Sequence, residues 1–292
     1  MLAVRKLCME KRVFNIDASA SLILEGGGMR GAFTAGVLDN LMDRGIRFPY
    51  IIGVSAGACN ALSYMSHQRG RSKYSYTKLM ELYKYIGLKK LFFNGNIMDF
   101  NLLFHKFPEE IYPYDYQKLA NAPERFEMVT TSCRSGNACY YDERNDPKRI
   151  IDIVKASSSM PFVAPIVYVD GEPMMDGGIT DSIPLERAHS LGYKNSLVVL
   201  TRNRGYRKPS KGTSVPFFMY RKYPNLRKAI TERNAMYNRQ VELVEEYESR
   251  GDITVIRPVN PIQVGRMERN PQKLLNLYNE GYNCAAAIEF IQ

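Results

Sequence analysis

The strongest constraint on this chain is one local pattern that occurs twice: a short uncharged apolar run ends in glycines and passes directly into a helical repeat. Residues 20–24 (Ala-Ser-Leu-Ile-Leu) lead into Gly26-Gly27-Gly28-Met29-Arg30-Gly31, and then into residues 32–43, where Phe33, Val37, Leu38 and Leu41 share one helical face. Residues 50–54 (Tyr-Ile-Ile-Gly-Val) lead into Ser55-Ala56-Gly57 and a second helical pattern, starting at Ser55, through Ala58, Leu62 and Met65. Apolar runs without polar alternation are strands covered on both faces. Strand, turn and helix in repetition build a parallel sheet.

The remainder of the chain continues the alternation. Strands are expected at residues 126–133 and 138–142, as a hairpin around Ser135-Gly136-Asn137, and at 166–169, 196–200 and 253–256. Helices are expected at 147–157, 184–191, 225–249 and 272–290. The fold class is therefore α/β, a three-layer α/β/α sandwich with a mostly parallel central sheet. Three parts follow: an N-terminal segment (1–20), a core (21–201), and a C-terminal extension (202–292) of basic loop, helix, strand and helix that packs on the same domain. With 292 residues, 45% hydrophobic and 24% charged, the chain has material for a sizeable core and is neither disordered nor a disulfide scaffold.

Residues 48–68 lack charge, but Pro49, Gly53, Gly57 and Asn60 interrupt them, so they do not read as a membrane span. The first residues mix Arg5, Lys6, Glu10, Lys11 and Arg12 with short apolar pieces and lack the apolar core of a secretory signal. Cys8, Cys59, Cys133, Cys139 and Cys284 are odd in number and form no CxxC pair, which argues for reduced thiols and against a zinc site. A cytoplasmic location is expected.

Three motifs carry chemistry. In the glycine turn, successive backbone N–H groups can converge on an anion at a helix start. Its register also fits a dinucleotide fingerprint, but the acidic residue required at the end of the second strand is missing. Gly53-Val54-Ser55-Ala56-Gly57 is a GxSxG between strand and helix, the elbow that exposes a serine hydroxyl. The first motif supplies donors for an oxyanion and the second the nucleophile that creates it. A base is needed, and none of His67, His105 and His189 sits where a hydrolase base usually lies. The third motif is Asp176-Gly177-Gly178; taken alone, Asp-Gly reads as a hairpin turn.

The order of glycine turn, GVSAG elbow and DGG, with Ala156-Ser157-Ser158-Ser159-Met160-Pro161 ahead of the last, resembles the patatin-like phospholipase family. The resemblance spans about residues 21–201 and implies hydrolysis of lipid acyl esters by a Ser-Asp dyad. It implies Ser55 as nucleophile, Asp176 as base, and Gly26, Gly27, Gly28, Arg30 and Gly31 as the oxyanion loop, with Gly53 and Gly57 shaping the elbow. No metal or other cofactor is implied. Residues 202–292 match no motif of the family.

The net charge of +10 calls for an anionic partner. Nine cations (Arg202, Arg204, Arg207, Lys208, Lys211, Arg221, Lys222, Arg227 and Lys228) stand in residues 201–229 without one acid, interleaved with Phe217, Phe218 and Tyr220. The expected partners are a phospholipid or other fatty-acyl ester as substrate and an anionic membrane at the inner face through residues 202–228; nucleic acid is not expected. A basic module that binds anionic membranes or nucleic acid, with a vestigial elbow, is the competing reading. Residues 83–116 hold ten aromatics, and Phe92, Phe93, Phe100, Phe104 and Phe107 either line a pocket for an apolar substrate or form a helical subcore.

Overall fold

A computed structural model of the chain describes residues 12–87 and 97–291. The strands are β1 (Arg12–Asn15), β2 (Ala20–Leu24), β3 (Tyr50–Val54), β4 (Arg125–Ser132), β5 (Ala138–Tyr141), β6 (Val167–Val169), β7 (Glu172–Asp176), β8 (Asn195–Val199), β9 (Ile253–Ile256) and β10 (Ile288–Ile291). The described α-helices are α1 (Gly31–Asp43), α2 (Ala56–Met65), α3 (Arg71–Tyr76), α4 (Lys78–Tyr83), α5 (Tyr116–Ala120), α6 (Pro147–Ser157), α7 (Leu185–Ser190), α8 (Pro224–Arg250) and α9 (Pro271–Ala286). Leu102–Ile111 forms a π-helical stretch.

The main sheet has the order β6-β7-β4-β3-β2-β8-β9, with β5 added beside β4. Its centre, β4-β3-β2-β8-β9, is parallel, and β5, β6 and β7 join antiparallel. Side-chain alternation assigns the two faces. Leu22, Leu24, Ile51 and Leu197 point into a core closed by α1, α2, α6 and α9, whereas Ile23, Ile52, Val54 and Val198 meet Leu185 and Ala188 of α7 and Tyr237, Val241 and Val244 of α8. This is the three-layer α/β/α sandwich. β2 is the switch point, because the chain leaves it for β3 on one side and β8 lies on the other. Ligands in such sheets bind outside the carboxyl ends of the strands at that point, where both glycine turns sit.

The C-terminal region closes both outer layers: α8 covers one face and α9 lies on α1 with almost no space between the backbones. A Cβ added to Gly36 would stand 1.9 Å from the Tyr278 carbonyl oxygen, and one added to Gly281 would stand 2.0 Å from that of Phe33. Gly281→Val is therefore expected to destabilise the fold by about 3 kcal/mol, since the clash is with backbone that cannot rotate away. Urea unfolding measures this, and a loss below about 1 kcal/mol contradicts the packing.

Three local expectations differ from the structure. The last helix stops at Ala286, and Ile288–Ile291 instead pairs in parallel with Arg12–Asn15. Alternation of Ile288 and Phe290 toward Phe14 and Phe48, with ring centroids 5.7 to 6.3 Å apart, outweighs the helical repeat. The Asp-Gly hairpin turn lies at Asp170-Gly171, both at positive φ between β6 and β7, and Asp176 ends a strand that the sequence pattern did not reveal. The helix after the elbow begins at Ala56, leaving Ser55 outside it. Cys8, Phe92 and Phe93 lie outside the described residues.

Candidate active site

Ser55 follows the last residue of β3 with φ 54° and ψ −121°, a region that non-glycine residues seldom occupy, and its side chain makes no cap to α2. The glycines explain how the turn fits. A Cβ on Gly57 would lie 2.4 Å from the Leu24 carbonyl oxygen, and one on Gly53 would lie 2.8 Å from the Ala58 backbone. The elbow therefore presses helix against strand as only glycine permits. The Ser55 N–H donates to Ser157 Oγ at 2.8 Å, and Ser157 Oγ donates to the Val129 carbonyl at 2.6 Å.

Asp176 is 2% exposed. Its N–H donates to the Ser159 carbonyl at 3.0 Å, its carbonyl accepts from Thr131 Oγ1 at 2.9 Å, and its Oδ1 accepts from the Gly178 N–H at 2.7 Å. The serine run is thereby explained physically, since Ser157 fixes the elbow and Ser159 fixes the aspartate. Arg233 Nε and Ser182 Oγ both donate to the Gly178 carbonyl, at 2.7 and 2.9 Å, and hold the turn after Asp176.

The first glycine turn runs alongside Ser55. A Cβ on Gly26 would sit 3.2 Å from Ser55 Cβ, and Gly28 adopts φ 58° against the Arg266 carbonyl. That carbonyl accepts the Met29 N–H at 3.1 Å, while Arg30 N–H donates to Gly27 and Gly31 N–H to Gly28 and Met29. Among the described residues the amides of Gly26, Gly27 and Gly28 have no acceptor. Gly31 instead packs: its Cβ would meet Ala56 and the Tyr76 hydroxyl, and it lines neither cavity described below.

Two cavities meet at Gly28, Ser55 and Met160. The larger is walled mainly by apolar side chains, among them Met29, Leu103, Phe104, Phe107, Ile151 and Val154. Phe104 and Phe107 therefore line a pocket while also being buried in the core, and Phe100 packs behind Phe104 at 5.1 Å between ring centroids. The smaller is lined by Asp176, Glu25, the three glycines, Arg30, Lys208, Arg233 and Arg266. The histidines contribute to neither: His189 lies 3.3 Å from Ser196 Oγ and against Tyr247, and burial lowers its pKa.

The model of the patatin-like phospholipase family matches residues 22–189. The chain belongs to this family. Patatin-like phospholipases are hydrolases of lipid acyl esters. A second family model, described as a domain of unknown function, matches residues 223–289. The chain is 29% identical over 186 residues to the uncharacterized protein YjjU of Escherichia coli K12, covering 62% of this chain and 51% of that one, so it spans about half the length of this curated relative. It also aligns with the crystal structure of VipD from Legionella pneumophila at TM-score 0.44 and 15% identity, over 91% of this chain and 66% of that one.

Sequence reasoning missed Glu25, Lys208, Arg233 and Arg266. Glu25 is 1% exposed and accepts from Thr201 N–H, from Thr201 Oγ1 at 3.0 Å and from the Tyr237 hydroxyl at 3.0 Å. A glutamate directly after a buried strand was the signal available for it. Beside the site, burial pushes the Asp181 carboxyl up to about 6 despite hydrogen bonds from Tyr140 and Gln240. A carboxyl raised above its unfolded value of about 3.9 contributes stability below that value and loses it as pH rises through the folded value. Asp181→Asn should therefore remove a decline on the order of 3 kcal/mol between about pH 4 and pH 7. Urea melts at a series of pH values test this, and parallel profiles for variant and wild type exclude it.

Proposed function

We propose that this member of the family is a serine lipid acyl hydrolase in which Ser55 is the nucleophile and Asp176 its base. The observation that carries the reading is the meeting of the apolar and the polar cavity at Ser55, with Asp176 and the unengaged glycine amides in the polar one. An acyl chain enters the apolar cavity and presents its carbonyl to Ser55. Asp176 takes the hydroxyl proton as the Ser55 oxygen bonds to the carbonyl carbon. The oxyanion receives the amides of Gly26, Gly27 and Gly28, assisted by the helix N-terminus behind Ser55. Collapse breaks the ester C–O bond, the proton passes from Asp176 to the leaving alcohol, and water cleaves the acyl-serine by the same steps. Acyl release from a panel of defined lipids, read by mass spectrometry with Ser55→Ala as control, tests the reading; equal release by the variant refutes it.

We also propose contact with anionic membranes, through fewer residues than the basic block contains. Arg204 and Arg207 pair with Glu248 and Glu245 at 2.7 and 2.6 Å, Lys208 is 8% exposed, and Arg227 donates to the carbonyls of Val215, Pro216, Phe217 and Met219. Tyr220 is likewise occupied, its hydroxyl accepting the Phe162 N–H at 2.9 Å. Lys211, Arg221, Lys222 and Lys228 remain exposed, as do Phe217 and Phe218, which are 76% and 66% exposed. Each cation near the headgroups contributes about 1 kcal/mol, so reversing Arg221, Lys222 and Lys228 to Glu should weaken sedimentation with anionic vesicles by about 100-fold or more. Unchanged sedimentation makes the loop a solvated one. No described helix is long and apolar enough to cross a membrane.

A further inference from the structure

The smaller cavity concentrates more positive charge than its walls neutralise. Arg30 comes from the first glycine turn, Lys208 from the loop after β8, Arg233 from α8 and Arg266 from the loop before α9, and among the described residues all four line it together with two acids, Glu25 and Asp176. Among the described residues no carboxylate ion-pairs with any of the four. Glu25 is occupied by Thr201 and Tyr237. Arg30 is 3% exposed and its Nε, buried, has no hydrogen-bond partner. Lys208 Nζ stands 3.8 Å from the centre of the Tyr237 ring, and its backbone is held on both sides by Asn238.

Unpaired cations at this depth cost stability unless something anionic joins them. The protonation equilibria record that cost. Burial first, then repulsion from Arg233 and Arg266, brings Lys208 down to about 6, and burial brings Arg30 and Arg233 down to about 10. A dianion entering the cavity returns the charge on Lys208 and supplies acceptors to the guanidinium groups, which match phosphate oxygens in fork geometry.

We propose that this cavity holds the phosphate monoester of the substrate, so that the preferred substrates are acylglycerol phosphates, with the acyl chain in the apolar cavity and the phosphate among Arg30, Lys208, Arg233 and Arg266. The inference rests on Ser55 being the nucleophile, because Ser55 is where the two cavities join and where the scissile ester must lie. It gives the C-terminal region a role in recognition, because that region and the loop ahead of it supply three of the four cations. A zwitterionic headgroup fits poorly, since Glu25 is engaged and, among the described residues, no other acid except the proposed base faces the cavity.

The test compares kcat/KM for a short-chain 1-acylglycerol 3-phosphate with that for the 1-acylglycerol carrying the same acyl chain. The phosphate-bearing ester should be preferred by at least about tenfold. Arg266→Gln and Lys208→Met should each reduce that ratio by about tenfold, chiefly through KM. Arg266 holds Met29 through its backbone carbonyl, which substitution retains, and a buried cation replaced by an apolar isostere keeps its packing. Equal turnover of the two esters, or a ratio that survives both substitutions, overturns the proposal. A binding arm uses calorimetry on Ser55→Ala with the same two lipids and with inorganic phosphate alone. Tight binding of the lipid phosphate, weakened in Arg266→Gln, supports the cavity assignment even if Ser55 proves not to be the nucleophile, an outcome that would show as turnover retained by Ser55→Ala. Inorganic phosphate binding as tightly as the lipid phosphate makes this a free-anion site and overturns the headgroup assignment.

Discussion

Ser55→Ala should lower kcat/KM for lipid ester hydrolysis by about 10⁴-fold or more, and Asp176→Asn should come close to it. In the proposed mechanism the two residues act as one unit. Without the serine no acyl-enzyme forms, and without the carboxylate nothing receives the hydroxyl proton, so the double variant should be scarcely worse than either single one. Neither change disturbs the bonds that hold the site: Ser55 is held through its backbone N–H, and the Asp176 backbone is held by Ser159 and Thr131. Circular dichroism and the urea midpoint should therefore stay near wild type. Additive losses, in which the double variant is worse by the product of the two, would mean that Asp176 acts elsewhere.

Gly28→Ala is the second large effect expected, a fall in kcat of about 10²- to 10³-fold, the range seen when an oxyanion donor is displaced. The added methyl group would meet the Arg266 carbonyl oxygen at 2.7 Å in a backbone already at φ 58°, so the turn must shift to admit it. That shift moves the amides of Gly27 and Gly28 away from the carbonyl at Ser55. The fall is read in kcat, because the displaced amides face the oxyanion, which exists only after attack on the ester. A variant with wild-type kcat would show that these amides are not the oxyanion donors.

The parts of the molecule that could be read from sequence are those fixed by neighbours in the chain. β2 with its glycine turn and β3 with GVSAG announce themselves because strand, turn and helix are contiguous and the turn tolerates few residue types. The parts that could not be read depend on partners far away. β1 and β10 form only because Arg12–Asn15 meets Ile288–Ile291, and neither stretch has a strand pattern strong enough alone. Arg233 looks like one more exposed cation on a polar helix until α8 is laid over the sheet and its Nε reaches the Gly178 carbonyl. Charge counting misled in the same way: nine cations in a row resemble one surface, yet the fold turns Lys208 inward, pairs two with glutamates and uses Arg227 as a clamp. Ser157 and Ser159 were visible as a motif, but what each one holds became clear only when the elbow and the aspartate were seen to hang from them.

Fluorophosphonate labelling of the full chain, mapped by peptide mass spectrometry, bears most directly on the nucleophile. The reagent reacts with a serine only where a base and oxyanion donors already activate it. One adduct per chain is expected, on the peptide containing Ser55, absent in Ser55→Ala and formed much more slowly in Asp176→Asn. An adduct on another residue, or labelling that persists in Ser55→Ala, would contradict the account.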